Sequence, residues 1–312
     1  MKQAALTIIC LFAATAGFAQ DNAARRPPIL AISHVRFHVT QPDAAIHFYQ
    51  DVLGLMPGPN KDGCENTHLR CLWLSQGQFI QLDLVQQRSP SSLLEEVAFV
   101  TPDLEAMRDF LASKGVKGET AMSVEGPQHD LDVKKSGRLV RFSVLDPEAN
   151  RIVFEALQKT GPVTTDRSVS TSIIHAGFVV HDRAAMDHFY KDILGFKVYW
   201  HGGMKDDETN WVDMQVPDGS DWTEYMLGVS PHASHKTLGV MNHIALGVPD
   251  IHAARQQLIK NGWAGTEQPQ IGRDGKWQLN LYDPDDTRVE LMEFTPVEKP
   301  CCSEYTGPHP KP

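Results

Sequence analysis

A block that returns 141 residues later constrains the fold of this chain more than any other feature. Phe48-Tyr49-Gln50-Asp51-Val52-Leu53-Gly54-Leu55 is matched by Phe189-Tyr190-Lys191-Asp192-Ile193-Leu194-Gly195-Phe196. His34 and His175 stand at the same offset, and Asp146-Pro147 returns as Asp283-Pro284 at an offset of 137. A repeat on this scale implies two alike halves, each long enough for a domain-sized unit. The polar stretch 158–170, with Gly161-Pro162 and no hydrophobic period, reads as the linker between domains at 30–157 and 171–296.

Each half divides again. Residues 33–39, 95–100, 174–180 and 242–248 each read as a short alternating strand that leads into a helix. Pro102-Asp103 and Pro249-Asp250 suit a helix start. Further short strands follow, and the Asp-Pro sequences suit the tight turn before the last one. The predicted unit is strand, helix, three strands (βαβββ), and it occurs four times.

These motifs, in tandem and in order, resemble the vicinal oxygen chelate superfamily of glyoxalases, extradiol dioxygenases, epimerases and bleomycin-resistance proteins. The resemblance runs from about residue 32 to 295. It implies an α+β fold in which four βαβββ modules form two tandem glyoxalase-like domains. Their curved mixed sheets would surround a cavity with one divalent metal at its floor. It does not fix the reaction, because sites, not folds, carry chemistry.

Strand alternation indicates which side chains face that cavity. Ile244, Leu246 and Val248 form an apolar face, which turns His243 inward. By the same reading His175, Glu224 and Glu290 also point inward. Carboxylates in such a place are costly unless a cation or partner offsets them. Two imidazoles and two carboxylates suit Fe, Mn, Ni, Co or Zn. The expected ligand set is therefore His175, Glu224, His243 and Glu290, with Gln278 and Asn280 placed to contact substrate oxygens. The first half departs from this pattern: His34 keeps its position, but Gln81, Glu96 and Val153 occupy the others, with Glu155 two residues on. Arg36, His38 and Asp83 share the same face. A degenerate first domain that supports the second is the expectation.

Two reactions follow from the resemblance. All four ligands together are similar to those of glyoxalase and epimerase members. That likeness implies a lyase or isomerase in which Glu290 moves the proton and Glu224 is the second carboxylate. His175, His243 and Glu290 alone resemble the two-His-one-carboxylate face of extradiol ring-cleaving dioxygenases. Against that match, Asn280 stands where the family has Tyr, and residues 269–278 contain no His. The competing class is a non-catalytic protein that sequesters a small molecule, as resistance proteins do.

Composition limits the partners and the compartment. A net charge of -10, from 29 Lys and Arg against 39 Asp and Glu, disfavours a nucleic-acid partner. Lys2, the 13-residue apolar run 4–16 and Gly17-Phe18-Ala19 form a signal-peptide pattern over residues 1–19, too short to span a bilayer. Cleavage near Ala19 and a secreted or periplasmic protein with no membrane anchor are expected. A small-molecule substrate is the expected partner, and a homodimer is left open. In such a compartment Cys64 and Cys71 could pair. Residues 297–312, rich in Pro and carrying Cys301-Cys302, read as a disordered tail without chemistry.

Overall fold

The computed structural model describes residues 25–58, 68–84, 93–123, 126–128, 139–156 and 164–312. The signal-peptide segment and Cys64 lie outside them, so neither export nor the Cys64–Cys71 pair is described. The first half runs β1 (Ile32–His38), α1 (Pro42–Ile46) with a π-helical turn (His47–Val52), β2 (Met56–Pro57), β3 (Leu69–Trp73) and β4 (Phe79–Asp83). It continues through β5 (Leu94–Val100), α2 (Leu104–Ser113), β6 (Gly118–Ser123), β7 (Gly126–Gln128), β8 (Leu139–Leu145) and β9 (Arg151–Glu155).

The second half repeats the plan. Its third module is β10 (Ser172–Val180), α3 (Arg183–Asp187) with a π turn (His188–Ile193), β11 (Lys197–Gly202), β12 (Trp211–Gln215) and β13 (Trp222–Leu227). Helix α4 (His235–Met241) then leads to the fourth module: β14 (His243–Val248), α5 (Ile251–Lys260), β15 (Gln270–Ile271), β16 (Trp277–Tyr282) and β17 (Arg288–Glu293). Strand β7 and helix α4 add to the plain βαβββ plan.

The strands form two mixed sheets, ordered β2-β3-β4-β1-β5-β9-β8-β6-β7 and β11-β12-β13-β10-β14-β17-β16-β15. In each, the opening strands of two modules pair antiparallel at the centre: β1 with β5, and β10 with β14. The architecture is thus the expected tandem α+β arrangement. Local chemistry explains the helix starts. Asp103, Asp182 and Asp250 each cap a helix by accepting a backbone N–H from its first turn, and Pro42 opens α1.

The repeated motifs turn out to join the halves. The Asp283 carboxylate accepts the N–H groups of Asp285 and Thr287, which folds the Asp-Pro turn, while Tyr49 of the other half donates its hydroxyl to it at 3.1 Å. Asp146 does the same within its own turn and receives Tyr190 at 3.2 Å. Each Phe-Tyr block therefore docks on the opposite half's Asp-Pro turn. Both phenols are fully buried, and leaving one unpaired would cost about 1–3 kcal/mol. A single apolar core, with Phe37, Phe99 and Phe154 from one half and Phe178, Phe196 and Tyr225 from the other, runs through both.

The tail departs from expectation. Thr306 N–H donates to the Tyr199 carbonyl at 3.0 Å, Cys301 N–H to the Arg273 carbonyl at 2.9 Å, and Tyr305 hydroxyl to the Asp274 carbonyl at 2.8 Å. Cys301 and Cys302 are joined by a disulfide. Residues 297–312 are an ordered strap, because the aromatic rings of Tyr305 and His309 find partners on Tyr199. No helix among the described residues is long and apolar enough to cross a membrane.

Candidate metal centre

Four strands of the second sheet carry the site. His175 lies on β10, Glu224 on the parallel neighbour β13, His243 opens β14, and Glu290 lies on β17. Strand pairing brings them together: Gly177 stands opposite both Glu224 and His243, and Ala245 opposite both His175 and Glu290. Gly177 matters for its lack of a side chain. A Cβ there would overlap the His243 imidazole, so glycine leaves the room this ring occupies.

The donor atoms converge. His175 Nε2 and His243 Nε2 are 3.0 Å apart. Glu224 Oε2 is 3.1 Å from His243 Nε2 and 3.7 Å from His175 Nε2, while Glu290 Oε2 is 3.8 and 3.9 Å from the same two atoms. Donors about 2.1 Å from one ion lie roughly 3.0 Å apart when adjacent and 4.2 Å when opposed. The observed separations fall in that range. His243 Nδ1 donates to the Met241 carbonyl at 3.0 Å, which leaves its Nε2 as the lone-pair nitrogen and fixes the ring. These residues fit a divalent metal.

The electrostatics agree. Burial pushes the Glu290 carboxyl up to about 8, with the charges of Glu224 and Asp274 adding to it and Arg288 opposing. Burial likewise holds both imidazoles well below their ordinary range. Neutral imidazoles and a carboxylate whose charge is only partly compensated are what a cation binds. Arg288 offers partial compensation, with Nη2 2.6 Å from His243 Nε2 and Nη1 4.0 Å from Glu290 Oε2.

Above the donors lies a cavity of about 340 Å³. Trp200, Trp211 and Trp222 form aromatic walls, and Gln278 and Asn280 line it from β16 as the alternation predicts. Asn280 sits opposite Glu290 and its Oδ1 is buried without a partner, whereas the Gln278 amide donates to Asp274 at 3.1 Å.

Several residues escaped the sequence reading. Arg288 lines the cavity, as do Asp213 on β12 and Asp274. Behind Trp222, the Lys276 ammonium is fully buried 4.5 Å from that ring's centre, with Tyr199 and Tyr305 completing an aromatic box. Alternation along β12 could have flagged Asp213 beside Trp211. Nothing local marks Lys276, because the tail supplies part of its enclosure.

The first half fills the equivalent place with its own charges. His34 bonds Glu155 at 3.0 Å through Nδ1 and Glu96 at 2.8 Å through Nε2. Arg36 and Arg141 also reach Glu96, at 3.0 and 2.7 Å. Burial alone would raise Glu96, but Arg141, Arg36 and His34 hold it well below the usual carboxylate range. Guanidinium and imidazole thus stand where a cation's charge would be needed.

Comparison with known proteins accords with this architecture. Residues 172–291 match the model of the Glyoxalase/Bleomycin resistance protein/Dioxygenase superfamily. No curated protein matches the sequence. Among solved structures, the chain is similar to the anaerobic substrate complex of homoprotocatechuate 2,3-dioxygenase from Brevibacterium fuscum, with 3,4-dihydroxyphenylacetate. The TM-score is 0.60 at 20% identity, covering 86% of this chain and 82% of that one. It is also similar to the 2,3-dioxygenase LapB from Pseudomonas sp. KL28, with a TM-score of 0.61 at 16% identity, covering 92% and 96%. At these identities the likeness is one of fold. The domain that carries the four converging donors is thus the part of the chain that is similar to the glyoxalase, bleomycin resistance protein and dioxygenase superfamily.

Proposed function

We propose that the second domain is the active unit of a divalent-metal enzyme that grips a small substrate through two adjacent oxygens, and that its reaction is dioxygen-dependent cleavage of a catechol-type ring. The observation that carries this reading is the convergence of His175, His243 and Glu290 beneath the tryptophan walls of the cavity. Fe(II) bound by two imidazoles and one carboxylate keeps neighbouring positions open and supplies the redox chemistry that links a catecholate to dioxygen. The remaining work falls to this chain's side chains. Indole faces suit a flat ring. Glu224 is placed to accept the proton of a substrate hydroxyl, a role open because Asn280 and the His-free stretch 269–278 offer no other base. The fold likeness to two ring dioxygenases supports the reading without fixing the substrate.

Glu224 also favours a second reading. As a fourth donor it would leave fewer open positions, which suits a lyase or isomerase that moves a proton beside a polarised carbonyl. One experiment separates the readings. Protein reconstituted anaerobically with Fe(II) is mixed with a panel of catechols under a measured dioxygen supply. Ring cleavage predicts one dioxygen consumed per diol, lost in Glu290→Ala. Metal-loaded protein that consumes none, yet exchanges a carbon-bound hydrogen of a hydroxy-carbonyl substrate for solvent deuterium, overturns it in favour of the lyase or isomerase. Binding without turnover in either assay leaves sequestration. We also infer export, on the pattern of residues 1–19; a mature N-terminus just after Ala19 in the secreted or periplasmic fraction is the expected result.

A further inference from the structure

The first domain holds a second group of metal-type donors, away from its closed His34 cluster. His38 and Asp83 are register partners at the ends of β1 and β4. Glu95 reaches them because the β1–β5 pairing slips: Arg36 stands opposite Glu96 and Phe37 opposite Leu94, so Glu95 is the extra residue of a bulge. A bulge of this kind re-aims a side chain that strict alternation would send to the other face. One ring nitrogen of His38 and one oxygen of each carboxylate lie within 4.8 Å of one another.

The imidazole itself points to a ligand. The His38 side chain is only 5% exposed, its Nδ1 is 3.8 Å from Glu95 Oε1, and its Nε2 is buried without a hydrogen-bond partner. A buried imidazole nitrogen without a hydrogen bond is costly to keep. Two carboxylates face it, and the Arg36 guanidinium, whose charge also acts on Glu95, is bonded to Glu96 and Gln81. In the second domain the corresponding positions are Val179, Met226 and Asn242, which share none of this chemistry. The group is therefore a feature of the first domain alone and not a relic of the repeat.

We propose that His38, Asp83 and Glu95 bind a second divalent cation of the Zn(II), Mn(II) or Co(II) class. One imidazole and two carboxylates supply three donors, and water completes the coordination. The ion would tie the bulge to the ends of β1 and β4.

Calorimetric titration of the mature, metal-stripped protein with Zn(II), checked by elemental analysis after dialysis, tests this. The expected stoichiometry is two per chain, falling to one in His38→Ala, one in the isosteric Glu95→Gln, and one in Glu290→Ala. The double variant Glu95→Gln/Glu290→Ala should bind none. Circular dichroism on each variant separates lost binding from lost folding, and Glu95→Gln is the arm least open to misfolding. A wild-type stoichiometry of one that disappears in Glu290→Ala overturns the proposal, as does a second equivalent untouched by both His38→Ala and Glu95→Gln. A single equivalent lost in His38→Ala but kept in Glu290→Ala would leave this site standing and remove the second-domain centre instead.

Discussion

At the scale of single residues, the site depends on a few side chains that cannot be exchanged for near relatives. Gly177 is one, because its neighbour His243 fills the space a methyl group would take. Gly177→Ala should displace the imidazole and weaken metal binding at the second domain by about 10–100-fold, the range seen when support of a ligand is lost; Zn(II) titration reads this directly. His34 illustrates the opposite case. It ligates nothing in our reading but holds two buried carboxylates together, so His34→Ala should destabilise the fold by about 3–5 kcal/mol while the second-domain metal is retained. Chemical unfolding with metal analysis on the same samples checks both halves of that statement. The four converging donors were legible in the sequence because each keeps the side that alternation along its own strand assigns, whereas Glu95 at a bulge does not. Arg288 was not, since a residue beside a turn reads as solvent-facing until the neighbouring strand is in place.

At the scale of elements, the strands and helix caps were legible from period and capping chemistry, whereas the strap and the bulge were not. Proline-rich composition suggested disorder for residues 297–312, yet Tyr305 and His309 pack on Tyr199 and close the box around Lys276. Contacts between residues a hundred positions apart leave no local signature. The bulge at Glu95 is hidden for a related reason: the slip is a property of the pair β1–β5, and β5 alone reads as an ordinary strand. The strap's contribution can be measured. Deleting residues 297–312 takes Tyr305 away from the Lys276 ammonium and from the Tyr199 ring, and also removes the Cys301 carbonyl that the Trp200 indole donates to at 3.2 Å. Exposing one large buried ring, as on the face of Tyr199 that Tyr305 covers, is worth about 2 kcal/mol. The truncated chain should therefore melt several degrees lower, with tryptophan emission shifted to the red as Trp200 and Trp222 meet water.

At the scale of the whole molecule, the repeat was legible as two domains, but its motifs serve the junction and not the site. Tyr49 and Asp283, with Tyr190 and Asp146, form two equivalent crossed bonds, and the apolar core is shared. A sequence shows that a motif recurs; it does not show that each copy answers to the other's partner. The junction also sets a pH dependence. Burial raises Asp283 and Asp146 to about 6, against hydrogen bonds from their own turns that pull the other way. Their protons are held more tightly in the folded chain than in the unfolded one. The resulting stability is complete below the ordinary aspartate range near pH 4 and is lost as pH rises through 6. Asp283→Asn keeps an acceptor for the turn but does not titrate. The difference in unfolding free energy between wild type and this variant should therefore shift by about 2 kcal/mol in the variant's favour between pH 4 and pH 7.5. Denaturant melts of both proteins across that range provide the measurement. A constant difference would mean that Asp283 is already ionised where Tyr49 meets it, and that the halves are joined by a charged hydrogen bond and not by a neutral one.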